Sequence, residues 1–136
     1  LEEIEKYLAK KRWMAKQYSK SLEDIDFLEL PNEESYAKSV YWMYAPLIKR
    51  NSQITRDEFC KELKVAGIDT RTYFLPLHSQ PVLKHYKYNP DEYPVSSDLS
   101  RRGFYLPSGL AITEKQIKKV VKAIKDIAKK LKYGHI

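Results

Sequence analysis

Residues 55–66 carry a helix that is signalled at both ends, and few other stretches limit the fold as tightly. Thr55-Arg-Asp-Glu58 is a capping box, in which the threonine side chain and the glutamate three residues on satisfy each other's backbone N–H groups. Behind it Phe59, Leu63 and Ala66 share one helical face, with Cys60 alongside as a small apolar residue rather than a nucleophile. Gly67 stands where the residue after a helix turns left-handed. The chain then enters Gly67-Ile-Asp-Thr-Arg-Thr-Tyr-Phe-Leu-Pro-Leu-His-Ser-Gln-Pro81. Ile68 to Leu75 reads as a strand, and His78-Ser-Gln80 as a loop flanked by Pro76 and Pro81. Proline disfavours helical backbone in the residue before it, so Leu75 and Gln80 are expected to be extended. A stiff loop rich in hydrogen-bonding groups suits a binding role, and it equally suits a strand end with a satisfied surface histidine.

The remaining pattern alternates helix and strand. Ile4, Leu8, Lys11, Ala15, Tyr18 and Leu22 follow helical spacing with Tyr7 and Met14 beside them, which predicts a long helix from residue 1 to about 20. No capping residue precedes it, which suggests that the chain begins where something was cut away. Phe27, Leu28 and Leu30 suggest a short edge strand, and Ser39 to Ile48 a central one, although Pro46 cannot donate to a ladder. Trp42 and Tyr44 on that segment fit either a core or a ligand-facing role. Leu83 to Tyr86 suggests one helical turn, Tyr88 to Pro94 an irregular stretch, and Ser96 to Arg102 a short helix. Gly103 to Pro107 reads as a last strand. Thr113-Glu-Lys-Gln116 is a second capping box, opening a helix with the stripe Ile117, Val120, Val121, Ile124, Ile127, Ala128 and Leu131. That stripe is expected to pack on the sheet. The fold class is α/β, a small sheet covered by helices with a long N-terminal helix.

Charge and composition exclude several classes. At 136 residues the chain fits one domain, and no apolar run approaches the length of a membrane span. One cysteine excludes an internal disulfide and a cysteine-based zinc site. The charged opening residues do not read as a signal peptide, so the cytoplasm is the expected compartment. The net charge of +7 is local: residues 113–136 hold eight lysines against Glu114 and Asp126, which leaves +1 for the rest. Lysines around one polar helix face, without arginine clusters or interleaved aromatics, describe a solvated face better than a phosphate track. No glycine loop cradles a phosphate, and His78, His85 and His135 lack metal-ligand spacing. No catalytic, cofactor-binding or metal-binding residue is assigned.

The run from Gly67 to Pro81 resembles the small-domain motif of the pyridoxal-phosphate-dependent nucleotide-sugar aminotransferases. Three further pieces agree in order: Leu1 to Arg12 with its Lys11-Arg12 pair, Ser39-Val-Tyr-Trp-Met-Tyr44, and Leu99-Ser-Arg-Arg-Gly-Phe-Tyr-Leu-Pro-Ser-Gly109 with the helix after it. The Thr-Arg-x-x-Phe-x-Pro-x-His-x-Gln-Pro spelling is closest to the perosamine-forming branch. The resemblance implies the small domain of an aspartate-aminotransferase-type (fold-type I) enzyme. Residues 1–22 would be a lead-in helix from a missing large domain and residues 23–136 the small C-terminal domain. Pyridoxal phosphate would belong to the full-length enzyme and not to this fragment, which would be inactive alone. A homodimer, a nucleotide-linked 4-keto-6-deoxy sugar and an amino-acid donor, glutamate, are implied as partners, with neither nucleic acid nor membrane. His78 is implied as a hydrogen-bond partner of the sugar or its diphosphate, and Arg71 either as a carboxylate or phosphate ligand or as half of a structural salt bridge. Tyr73, Gln80, Trp42 and Tyr44 stand behind them. Trp13, Met14 and Tyr18, or Trp42 and Tyr44, are expected to form the apolar surface facing the missing domain. The competing class is a stand-alone basic module that binds an acidic partner or nucleic acid through its terminal helix.

Overall fold

The computed structural model describes residues 2–86, 89 and 92–134. Four helices surround a thin set of antiparallel strands: α1 Ile4–Leu22, β1 Leu28–Glu29, β2 Leu47–Ile48, α2 Arg56–Val65, β3 Arg71–Thr72, α3 Pro94–Arg102, β4 Phe104–Tyr105 and α4 Glu114–Lys132. Two 3₁₀ segments, Leu77–Ser79 and Pro81–Tyr86, lie between β3 and α3. This is the expected mixed α/β class. Both capping boxes form, Thr55 with Glu58 and Thr113 with Gln116. Gly67 is left-handed at φ +73°, and the N–H of Ile68 returns to the carbonyl of Leu63, closing α2. His135 and part of the irregular stretch, residues 88, 90 and 91, lie outside the described residues.

The strands are far shorter than their sequence suggests. Of the run Ser39 to Ile48, only Leu47 and Ile48 form a strand, paired with Leu28 and Glu29. Two causes are visible. Tyr41 sits at φ +45°, a conformation costly for an aromatic residue, and Pro46 has no N–H to give. Ile68 to Leu75 and Gly103 to Pro107 likewise contract to Arg71–Thr72 and Phe104–Tyr105, which pair with each other. Isolated bridges, Tyr44 with Leu106 and Leu47 with Gly103, join the two pairs into one antiparallel surface.

The core forms where α1, α2 and α4 meet that surface. Ile117, Val120, Ile124 and Ile127 of α4 are buried, and Val121, Ala128 and Leu131 pack partly against the same cluster. The stripe lies chiefly against α1 and α2, rather than on the sheet as expected. From α1 come Met14, Ala15, Tyr18 and Leu22, from α2 Phe59 and Leu63, and from the strand segments Leu28, Tyr44, Ile48, Phe104 and Leu106. Phe59 makes edge-on ring contacts with Phe27 and Phe104, and Tyr18 packs on Tyr44.

These contacts correct the expected apolar surface. Met14, Tyr18 and Tyr44 are core residues, and Trp13 packs partly on the cluster. Of that set only Trp42 is largely exposed, at 64%. Other exposed apolar side chains are scattered along the chain, several of them around the proline-flanked loop at Phe74, Leu75, Leu77 and Val82. Among the described residues no helix is long and apolar enough to cross a membrane.

Burial of α4 gives a direct test. Ile124 is fully buried, whereas the Lys122 side chain is 77% exposed and pairs with Asp126. Ile124→Asp places an unpaired carboxylate in the core and is expected to cost on the order of 3 kcal/mol or more. Lys122→Ala should cost less than ~0.5 kcal/mol, as for an exposed helix pair. Urea midpoints of the two variants decide, and comparable losses would reject the assigned face.

Candidate functional site

The segment after β3 is a run of tight turns. Pro76 begins it with extended ψ, Ser79 N–H bonds to the Pro76 carbonyl, and Gln80 is extended as the proline after it requires. The Gln80 side chain is used within the loop, donating to the Leu75 carbonyl at 3.2 Å. His78 is half-buried. Its Nε2 lies 3.0 Å from Ser97 Oγ, and its ring stacks on Tyr93 with centroids 5.1 Å apart and planes 15° from parallel. Two contacts from α3 and the residue before it thus orient the imidazole. Neither Ser97 nor Tyr93 was marked by the sequence, because both lie well beyond the loop in the chain.

Tyr73, a candidate for the same site, is a strut. Its hydroxyl donates to the Ala45 carbonyl at 2.6 Å, and its ring stacks on Tyr105 with centroids 4.9 Å apart. The ring also lies over Gly103 so closely that a Cβ there would sit 2.4 Å from it, which is why residue 103 must be glycine. Burial pushes the phenol up to about 12. Tyr44 is likewise withdrawn from any ligand: it is fully buried, with its hydroxyl 2.9 Å from Ser19 Oγ. Burial raises its phenol to about 12. A packed loop of aromatic residues gives the same sequence signal as a binding strand, and here packing accounts for it.

Arg71 and Trp42 face solvent. Arg12, Arg50, Arg56, Arg101 and Arg102 all have acidic or carbonyl partners. Among the described residues Arg71 is the arginine with no recorded partner, so its five donors remain available for a carboxylate or phosphate. Among the described residues no contact joins Arg71 or Trp42 to His78, whose ring meets Tyr93 and Ser97.

Two charged clusters hold this frame, and spacing showed little of either. Arg12 forks onto Glu33 at 2.8 and 2.9 Å and also donates to the Ser39 carbonyl at 2.5 Å, while Ser39 N–H donates to Glu33 at 2.8 Å. Hydrogen bonds from Arg12 and from the Ser39 backbone hold the Glu33 carboxyl at about 2. Asp98 on α3 is buried and accepts from Arg102, Arg50 and Arg101, which hold it well below the usual carboxylate range. Arg102 also bonds Glu29 and the Ile48 carbonyl, fastening α3 to the β1–β2 pair. The three-and-four spacing of Asp98 with Arg101 and Arg102 is a legible helix pair, but Arg50 is a distant partner.

Residues 1–125 match the DegT/DnrJ/EryC1/StrS aminotransferase family. The chain belongs to this family. It is 26% identical over 126 residues to GDP-perosamine synthase of Vibrio cholerae, covering 93% of this chain and 34% of that relative. S. venezuelae DesV in complex with a ketimine intermediate has the same fold, with TM-score 0.84 and 22% identity over 94% of this chain and 33% of that one. A putative sugar aminotransferase of Streptococcus pneumoniae in its PLP form matches with TM-score 0.83 and 16% identity, over 96% of this chain and 33% of the other. The fold is thus that of the small domain of fold-type I aminotransferases. This chain spans about a third of the length of the relatives it matches.

Glu33 makes the clamp sensitive to acid. Its carboxyl titrates near 4.5 when free and near 2 when folded, so the unfolded chain binds the proton more tightly. The stabilisation it gives is complete above the free value and is lost as pH falls through about 2. Wild type is therefore expected to lose more of its denaturation midpoint between neutral pH and pH ~3 than Glu33→Gln does. Equal losses in the two proteins would show that the clamp contributes nothing.

Proposed function

We propose that this chain is the C-terminal, substrate-closing part of a pyridoxal-phosphate-dependent aminotransferase acting on a nucleotide-linked 4-keto-6-deoxy sugar, as a perosamine-forming enzyme does. The match to the V. cholerae GDP-perosamine synthase across 93% of this chain carries the proposal. In this reading residues 1–22 are the lead-in helix, residues 23–136 the small domain, and the large domain holds the cofactor. Glutamate is the amino donor, the assembly is a homodimer, and its compartment is the cytoplasm.

The residues described here do not themselves fit the cofactor. A lysine that engages an aldehyde needs a free amine in a dry pocket. Among the described lysine side chains, burial lowers the pKa of Lys11, yet its ammonium is taken by the carbonyls of Trp42, at 2.8 Å, and Ser108. Incubating the chain with pyridoxal phosphate, then reducing with borohydride and digesting, is accordingly expected to leave no single lysine labelled stoichiometrically. One stoichiometric site would place the cofactor in this domain and overturn the division of labour.

What this chain contributes is positioning. Donors on a loop already held by prolines and by α3 lose little freedom when a sugar binds, and oriented contacts of this kind gain rate. His78 is assigned to a sugar or diphosphate oxygen and Arg71 to a carboxylate or phosphate. Gln80 and Tyr73 shape the loop and its base, and Tyr44 has no ligand role. Trp42 stays available as an exposed aromatic surface.

The two half-reactions separate these roles. In the full-length enzyme His78→Ala is expected to lower kcat/KM for the nucleotide sugar by ~10- to 100-fold, the loss of one hydrogen bond to a charged or strongly polar group. The donor half-reaction should fall much less. Cofactor absorbance follows each half-reaction alone, and equal losses in both would reduce His78 to a loop brace.

A further inference from the structure

We infer that Ser97 is a positioning residue that holds Nε2 of His78 as an acceptor, so that the imidazole offers its Nδ1–H to the nucleotide sugar. The inference rests on the assignment of His78 to that substrate. Three observations carry it.

The first is contact. Nε2 of His78 lies 3.0 Å from Ser97 Oγ, and stacking on Tyr93 fixes the plane in which the ring lies. The second is the place of Ser97. It lies in the opening turn of α3, where its N–H makes a helical bond to the Tyr93 carbonyl, and the end of that helix has no side-chain cap. Uncapped N–H groups give this end a partial positive charge. A second N–H pointing at it from His78 would be opposed, whereas the Nε2 lone pair is favoured there. Ser97 therefore donates its O–H, and Nε2 accepts. The third is what remains. Nδ1 has no partner among the described residues, and the ring is only half-buried, so the proton on Nδ1 is left for a ligand. Which ring nitrogen keeps the proton follows from the bond made by the other.

The geometry thus selects one polarity of contact. The Nδ1–H meets an oxygen lone pair, such as a diphosphate or keto oxygen of the nucleotide sugar, and cannot accept a hydrogen bond from a sugar hydroxyl. Ser97 touches no substrate in this arrangement. It acts only through His78.

Long-range ¹H–¹⁵N correlation spectra of the labelled chain, recorded at alkaline pH, read the tautomer directly. Wild type is expected to show a pyrrole-like Nδ1 and a pyridine-like Nε2 for His78. Ser97→Ala should move the ring toward the Nε2–H form, and Ser97→Thr, which keeps the hydroxyl, should restore the wild-type pattern. In the full-length enzyme Ser97→Ala should lower the rate of the sugar half-reaction by about 10-fold, the size of one neutral hydrogen bond, with Ser97→Thr restoring it and the donor half-reaction unmoved. A pyridine-like Nδ1 in wild type would overturn the inference whatever the kinetics, and it needs no variant that folds. An unchanged tautomer in a folded Ser97→Ala would overturn it too. A correct tautomer combined with an inert His78→Ala would remove the substrate contact proposed above, while leaving the Ser97 arrangement intact.

Discussion

The strands of this domain are too short to hold a sheet by backbone pairing, and everything else compensates for that. Two-residue strands leave carbonyls that a longer ladder would have used, and unpaired buried carbonyls are costly. Long side chains take them up. Tyr18 donates to the Pro107 carbonyl, Tyr73 to Ala45 and Arg102 to Ile48, while Arg56 ties α2 to the Ser100 and Gly103 carbonyls at the end of α3. Lys11 bridges Trp42 and Ser108, and the Ser108 hydroxyl in turn receives the Tyr44 N–H. Side chains stitch together what a continuous sheet would have held by itself.

That economy decides what the positive charge means. Lys118, Lys122, Lys125 and Lys130 of α4 pair with Glu114, Asp126, Asp24 and Glu62, and most arginines serve carbonyls or buried acids. Exposed pairs of this kind are worth little individually. They nonetheless engage four of the eight α4 lysines, which thins any phosphate track along that helix. Arg71 departs from this pattern, and on this ground, rather than for its place in a motif, it stays among the ligand candidates.

Local signals survived translation into structure wherever their cause is local. Both capping boxes, the left-handed Gly67, the proline-set loop and the α4 stripe depend on residues within a turn or two of each other, and all were legible. The strand lengths were not. An aromatic, β-branched run such as Ser39 to Ile48 burdens a strand and a buried irregular segment with the same residue preferences. What separates them is the reversed φ of Tyr41, held by Ser39 Oγ on its N–H and by Arg12 near its ring. The candidate site divides in the same way. His78 and its proline-flanked loop could be read, but the buried fate of Tyr44 and the bracing role of Tyr73 depend on Ser19, Ala45 and Gly103, none of which spacing connects to them.

The Asp98 cluster and the loop form one mechanical sequence. Asp98 and Ser97 are adjacent on α3, so the buried carboxylate that ties α3 to Arg50, and pairs with Arg102 within the helix, also sets where the Ser97 hydroxyl can stand. Arg102 carries that anchorage to β2 through the Ile48 carbonyl, and β2 is part of the core. The orientation of His78 is thus fixed against the packed interior rather than against the exposed loop that carries it. A binding group on a surface loop gains its precision this way: prolines limit the backbone, while a helix pinned through a buried carboxylate limits the side chain. Arg102 bonds both Asp98 and the β2 backbone, so it ties the helix that carries Ser97 to β2.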